Sequence, residues 1–203
     1  MSYKDFVVEA IGDLARSGVS IKLSNTSNID FGEGNYCSGY FSGGEDLEDR
    51  EFCVAMDSKF SNEVFIHEFS HFKQWKNKKS AWYKVKEKDE IDFWDWISGT
   101  KRMSKKRIKI ASKGIRNLEE DCERRSVKLI KKWDMDIDIE DYKRKANSYI
   151  YFYTVIPEIK SWYKKGTPPH EVEEIMDIMP KTFLKNYDTP PKDYLNLIKK
   201  YCV

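Results

Sequence analysis

Apolar residues in the first sixteen positions recur at helical spacing. Phe6, Val7, Ala10, Ile11 and Leu14 share one face, and Gly18 follows as a stop, so a helix is predicted over about 3–16. The pattern then changes. Ser20–Ser24 and Tyr36–Phe41 read as short strands between turns marked by Gly32, Gly34, Gly43 and Gly44, and Phe52-Cys53-Val54-Ala55-Met56 is a compact apolar run that reads as a buried strand. From about Ser61 onward the signal is almost wholly helical. Helices are predicted at 61–77 (with Ser61 or Asn62 as N-cap), 80–98, 115–133, 139–164, 170–178 and 191–201, with Pro168-Pro169, Pro180 and Pro190-Pro191 breaking up the tail. These elements imply an α+β class: a small N-terminal antiparallel sheet followed by a mainly helical body, in one domain over 1–203.

Composition narrows the function classes. At 203 residues, 40% of them apolar, the chain can bury a core, and 36 basic side chains nearly cancel 34 acidic ones. The resulting charge of +2 exerts no global pull on nucleic acid or anionic membrane, so such a role would need a local patch. No apolar run approaches membrane-span length, and the start Met1-Ser2-Tyr3-Lys4-Asp5 meets an acid too early for a secretory signal, which implies a cytoplasmic protein. Cys37, Cys53, Cys122 and Cys202 lie far apart with no CxxC pair. They read as reduced, mostly buried thiols, and their spacing matches no common zinc–cysteine pattern.

The chemistry concentrates in His67-Glu68-Phe69-Ser70-His71. Histidines at i and i+4 lie one turn apart on one helix face, so both imidazoles can reach one ion, and Glu68 points toward the open coordination position, where it can take a proton from water and pass it to a leaving amine. Phe65, Phe69 and Phe72 form an apolar stripe beside the histidines, whereas Ser70, Lys73, Gln74 and Asn77 fall on the far side, expected to be wet. The alternative is a chance match on a surface helix, but two of the chain's three histidines fall in this motif.

A catalytic zinc needs a third protein ligand. A metzincin would place a glycine and a histidine soon after His71; here Gln74 and Asn77 stand instead, which excludes that class. His170, after Pro168-Pro169, is expected to be exposed, with a ligand or a transition-state donor as the alternative readings. The better candidate lies in Leu118-Glu119-Glu120-Asp121-Cys122-Glu123, where helical phase sets Ile115, Leu118, Cys122, Ser126, Leu129 and Trp133 on the buried stripe. Glu119 sits at the edge of that stripe with Glu123 one turn on, while Asp121 and Glu120 lie farther toward solvent. Glu119 is thus the carboxylate aimed inward, for which zinc would be a partner, and Glu123 fits the acceptor of a ligating histidine's other N–H. The competing reading is an ordinary solvated acidic face.

Glu119-x-x-Cys122-Glu123-x-x-Ser126 resembles the second helix of gluzincins, which presents a ligand glutamate, small residues at +3 and +7 and a polar residue at +4. With His67-Glu68-x-x-His71, the chain resembles a minimal intracellular gluzincin, similar in size and order to the ImmA/IrrE-like peptidases. The resemblance covers about 50–130. It implies a zincin-like fold, zinc held by His67, His71 and Glu119, Glu68 as general base, a peptide or protein substrate, and Phe52–Met56 as the edge strand along which a peptide lies. The chain departs from those peptidases in an aromatic and basic stretch between the motifs and in a long helical C-terminus over about 138–203.

Two rivals remain at this level: a zincin-fold regulatory or structural binding protein without activity, and a nucleic-acid-associated protein using the basic run Lys101–Lys109. Such runs are more often solvated faces, which argues against nucleic acid as a partner. The aromatic cluster Trp82, Tyr83, Phe93, Trp94 and Trp96 reads as core, as do Tyr142, Ala146, Tyr149, Ile150 and Tyr153, although Tyr149 or Tyr153 could donate to an oxyanion.

Overall fold

The computed structural model describes residues 2–30, 36–44, 46–78, 80–164 and 166–203. In chain order the elements are α1 (Tyr3–Arg16), β1 (Ser20–Ser24), β2 (Ile29–Asp30), β3 (Tyr36–Cys37), β4 (Gly39–Gly43), β5 (Arg50–Ala55), α2 (Ser61–Lys76), α3 (Glu87–Ser98), α4 (Lys105–Lys132), α5 (Ile139–Ile159), α6 (Glu173–Asp177) and α7 (Tyr194–Tyr201). The class is α+β, a small sheet with a mostly helical remainder. The chain divides into two compact units, Met1–Ser80 with Arg125–Ile137, and Ala81–Arg124 with Asp138–Val203.

In the first unit, α1 begins with a capping box: Ser2 and Asp5 satisfy each other's backbone N–H groups. It buries Phe6, Ala10 and Leu14, and the chain leaves it through Gly18 at φ 70°, a left-handed position that favours glycine. The sheet corrects the antiparallel expectation. Its strand order is β1-β5-β4, with β1 parallel and β4 antiparallel to β5, and β2 pairs separately with β3. Residue patterning fixes which face of a strand is buried but not its direction. The β2–β3 excursion intervenes, so β4 arrives as the antiparallel neighbour and β1 takes the opposite side. Gly43 is the last residue of β4, and Gly44 follows it; Gly32 and Gly34 lie outside the described residues.

A second correction concerns Phe52–Met56. Strand β5 is central, paired on both sides, and not an edge. Phe52, Cys53, Val54 and Ala55 are fully buried, the continuous apolar pattern of a strand enclosed on both faces. Among the described residues the sheet edges are β1 and β4.

Helix boundaries shift where capping overrides periodicity. Phe60, without a side-chain cap, precedes α2, so neither Ser61 nor Asn62 is its N-cap. The predicted 80–98 helix is a 3-10 turn at Ala81–Lys84 followed by α3, because Lys86 is extended. Helix α4 begins ten residues before the predicted 115, where the Ser104 hydroxyl accepts from the Arg107 N–H. Its first turn is dense in lysine and arginine, which disguised the start. Helix α5 stops at Ile159, with Lys160 left-handed. The 170–178 helix is a 3-10 turn at Pro169–Glu171 followed by α6, and α7 starts at Tyr194.

The second unit packs α3, α4, α5 and the tail around Phe93, Ile108, Ile115, Ile150, Phe152, Ile156, Tyr194 and Ile198. Pro157 lies inside α5 and has no N–H for the Tyr153 carbonyl; the buried Ser112 hydroxyl of α4 donates to that carbonyl instead. Among the described residues no helix is long and apolar enough to cross a membrane.

Candidate metal centre

The rotation of α2 is set by aromatic packing inside the first unit. The ring of Phe65 lies 5.9 Å from Phe6 and 5.0 Å from Phe52, Phe69 lies 5.4 Å from Phe6, and Phe72 lies 5.8 Å from Phe41. With that side fixed on α1 and the sheet, the imidazoles of His67 and His71 meet at 4.7 Å between centroids, and their Nε2 atoms are 3.1 Å apart. Two Zn–N bonds of ~2.05 Å at a tetrahedral angle hold their nitrogens about 3.3 Å apart, so the pair fits two ligands of one ion. The other nitrogen of His71, Nδ1, lies 2.9 Å from Gln74 Oε1. An amide oxygen only accepts, so this contact suits the tautomer that carries its proton on Nδ1 and leaves a lone pair on Nε2.

Glu68 is buried on the neighbouring side of the helix, against the first residue of β4. A Cβ on Gly39 would stand 3.2 Å from Glu68 Cγ, so the strand can approach only because that residue is glycine. Cys37 is close enough to feel the carboxylate: burial pushes its thiol up to about 12, and Glu68 adds to the rise.

The wet side assigned to α2 needs correction. Ser70 and Gln74 are fully buried; only Asn77 and the lysines reach water, Lys73 and Lys76 pairing with Asp13 at 3.0 and 2.7 Å. The reason is a second packing surface. Ser70 donates to the Ile66 carbonyl and lies 2.9 Å from the Ser126 hydroxyl, in the last turns of α4 that belong to the first unit. Having spent its own proton, Ser70 receives that of Ser126. Two small hydroxyl residues let the helices meet closely; periodicity had put Ser126 on the buried stripe of α4 but had counted Ser70 as solvent-facing.

Helix α4 is continuous from Lys105 to Lys132. Three and seven residues before Ser126 lie Glu123 and Glu119, both buried; Glu120 and Asp121 are half-buried, as the phase argument ranked them. Glu120 pairs with Arg124 at 2.9 Å. Glu123 accepts a 2.6 Å hydrogen bond from the phenol of Tyr142, a partner that sequence reasoning missed because Tyr142 read as an ordinary core position. Within this second unit the hydroxyls of Tyr149 and Tyr153 are 2.9 Å apart. Burial raises both phenols well above 10, and the Glu119 carboxylate adds to it, so they stay protonated donors. Trp162 packs beside them, its ring tilted 6.0 Å from Tyr153 and edge-on 5.3 Å from Trp94.

Of the other residues singled out, Phe93 is core while Trp82, Trp94 and Trp96 are half-buried and Tyr83 is exposed. His170 is half-buried, 4.0 Å from the Glu171 carboxylate. The basic run is partly neutralised within the second unit: Arg107 lies 2.6 Å from buried Asp92 and 2.9 Å from Asp89, and Lys101 also holds Asp92. All four cysteines are thiols, and all but Cys37 are buried.

Comparison of the chain with protein-family models, curated proteins and solved structures finds no match. The functional reading therefore rests on geometry and chemistry.

Proposed function

We propose that the chain is a zinc-dependent peptidase of the HExxH type with a zincin-like fold. The observation that carries the reading is the convergence of His67 Nε2 and His71 Nε2, 3.1 Å apart on a buried helix, with the carboxylate of Glu68 between them in sequence. A chance surface motif has no reason to bury both a carboxylate and an imidazole and to set an amide oxygen against the latter's other nitrogen.

His67 and His71 would hold the ion, and a side chain of α4 would complete the set. Glu119 is the first choice, being buried on the helix face that leads to Ser126. Cys122 is the second: it lies one turn before Ser126 on that face, and its sulfur, as the thiolate, is a zinc donor. Bound there, zinc would polarise a peptide carbonyl and make a water molecule acidic enough to react near neutral pH. Glu68 would take a proton from an attacking water and return it to the leaving amine. The Tyr149–Tyr153 phenols, protonated at any working pH, are suited to donate to a developing oxyanion. An extended peptide would add to β4, the edge beside Glu68, in place of the central β5.

A second reading follows from Cys122. If it and Glu119 both bind, four protein ligands close the site and the zinc is structural. Elemental analysis and chelator competition on wild type, E68Q, E119A and C122S separate these cases. We expect about one zinc per chain in wild type and E68Q, with peptidase activity lowered roughly a hundredfold or more in E68Q, and weakened zinc in E119A alone. Weakened zinc in both E119A and C122S selects the structural reading. Wild-type protein that contains no zinc and takes up none on titration removes the proposal altogether.

A further inference from the structure

Gln74 carries no charge and stands three residues past the HExxH motif, at a position that periodicity assigns to solvent. The structure buries it completely. Its backbone is pinned as well: the Gln74 carbonyl accepts from the Ser80 hydroxyl at 2.6 Å and from the Asn77 N–H at 3.1 Å, closing the end of α2. A buried primary amide needs a use for its polar atoms, and Oε1 finds it in His71 Nδ1 at 2.9 Å.

We infer that Gln74 is a positioning residue which locks His71 in the Nδ1–H tautomer, aiming the Nε2 lone pair at the ion before any metal arrives. A neutral imidazole exists as two tautomers of similar energy, and only one leaves Nε2 able to bind. A single acceptor at Nδ1 selects that form and fixes the ring's rotation at the same time. His71 and Gln74 are three residues apart on one helix, so the lock is built within α2 and moves with it. The carboxylate that more often plays this part would add a negative charge to the site; the amide holds the ring without changing the site's net charge.

The inference rests on the zinc reading for its purpose but not for its test. The first measurement uses metal-free wild-type protein: long-range 1H–15N correlation spectra report which nitrogen of His71 bears the proton. We expect a single Nδ1–H form. In Q74M, an unbranched apolar replacement of similar volume, we expect a mixture of tautomers and zinc affinity about 10–100-fold weaker. In Q74E, which keeps an acceptor at the same place, the single tautomer and tight binding should return. Wild-type His71 protonated on Nε2, or Q74M binding zinc as tightly as wild type, overturns the inference. If Q74M fails to fold, judged by far-UV circular dichroism, the decision passes to the wild-type spectrum and Q74E. A wild-type protein that shows the Nδ1–H form yet takes up no zinc would sink the peptidase proposal while leaving the tautomer lock standing.

Discussion

Strand β4 passes close to the helix of the candidate site at Gly39, and Gly39→Ala probes that approach. A Cβ at that position would sit 2.5 Å from Val64 Cγ1, 3.0 Å from the Cys53 carbonyl oxygen and 3.2 Å from Glu68 Cγ. Ordinary carbon contacts need ~3.5–4.0 Å, so about 1 Å must be found. Val64 is β-branched on a helix and has little rotamer freedom, and the Cys53 carbonyl belongs to β5, which is paired on both sides. The room must come from β4 moving outward or from α2 tilting away. Alanine's smaller unfolded-state entropy stabilises by about 0.4–1 kcal/mol, while overpacking costs about 1–3 kcal/mol. The clash therefore wins, and G39A should lower the melting temperature, by about 2–4 °C for each kcal/mol of net loss in a chain of this size. A displacement of 1 Å at a general base is worth about a hundredfold in rate. If the proposed peptidase reading holds and β4 is what gives way, turnover should fall by that order while zinc content holds, because the added Cβ meets Glu68 and neither imidazole. Differential scanning calorimetry, elemental analysis and a peptide-cleavage assay read the three quantities. Val64→Ala added to G39A should return part of the stability, since it removes the 2.5 Å contact. A G39A protein with wild-type melting and turnover would refute the claim that β4 abuts the base.

Two further outcomes follow from buried carboxylates. Tyr142→Phe takes the phenol donor from buried Glu123 and should destabilise the fold by about 1–3 kcal/mol in urea titration; a change under ~0.5 kcal/mol would show that the bond contributes nothing. Asp92 is held at about 2, against an ordinary 3.8, by hydrogen bonds from Lys101 and then Arg107. A carboxyl lowered in the folded state contributes stability that is complete above its unfolded pKa and lost as pH falls through the folded one. Unfolding curves should therefore weaken between about pH 4 and pH 2, and Asp92→Asn should flatten that slope; an unchanged slope in the variant would assign the acid sensitivity elsewhere.

Much of this was legible in the residues because it is local. The spacing of Phe6, Ala10 and Leu14 gives α1, the i, i+4 histidines put two imidazoles on one helix face, and the phase of α4 ranks Glu119 and Glu123 as buried over Glu120 and Asp121. Each depends only on helix geometry within a few turns, which sequence carries directly. The apolar run Phe52–Ala55 likewise announced a buried strand.

What the sequence left open depends on partners distant along the chain. Strand direction and order are set by which segments meet, so β1 could prove parallel and β5 central without a residue of either changing its pattern. Ser70 and Gln74 are polar, and periodicity sends polar residues to water. Ser70 is buried where the last turns of α4 bring Ser126 to it, and the buried Gln74 amide lies against His71 Nδ1. Tyr142 and Glu123, nineteen positions apart, become a pair only when α5 packs on α4 in the second unit. A hydrogen bond between side chains needs both groups within ~3 Å, and that distance is a property of the folded chain. The sequence by itself thus determined most of the helical segments and the one helix face that carries both histidines; tertiary structure decided the strand order and which polar side chains are buried around them.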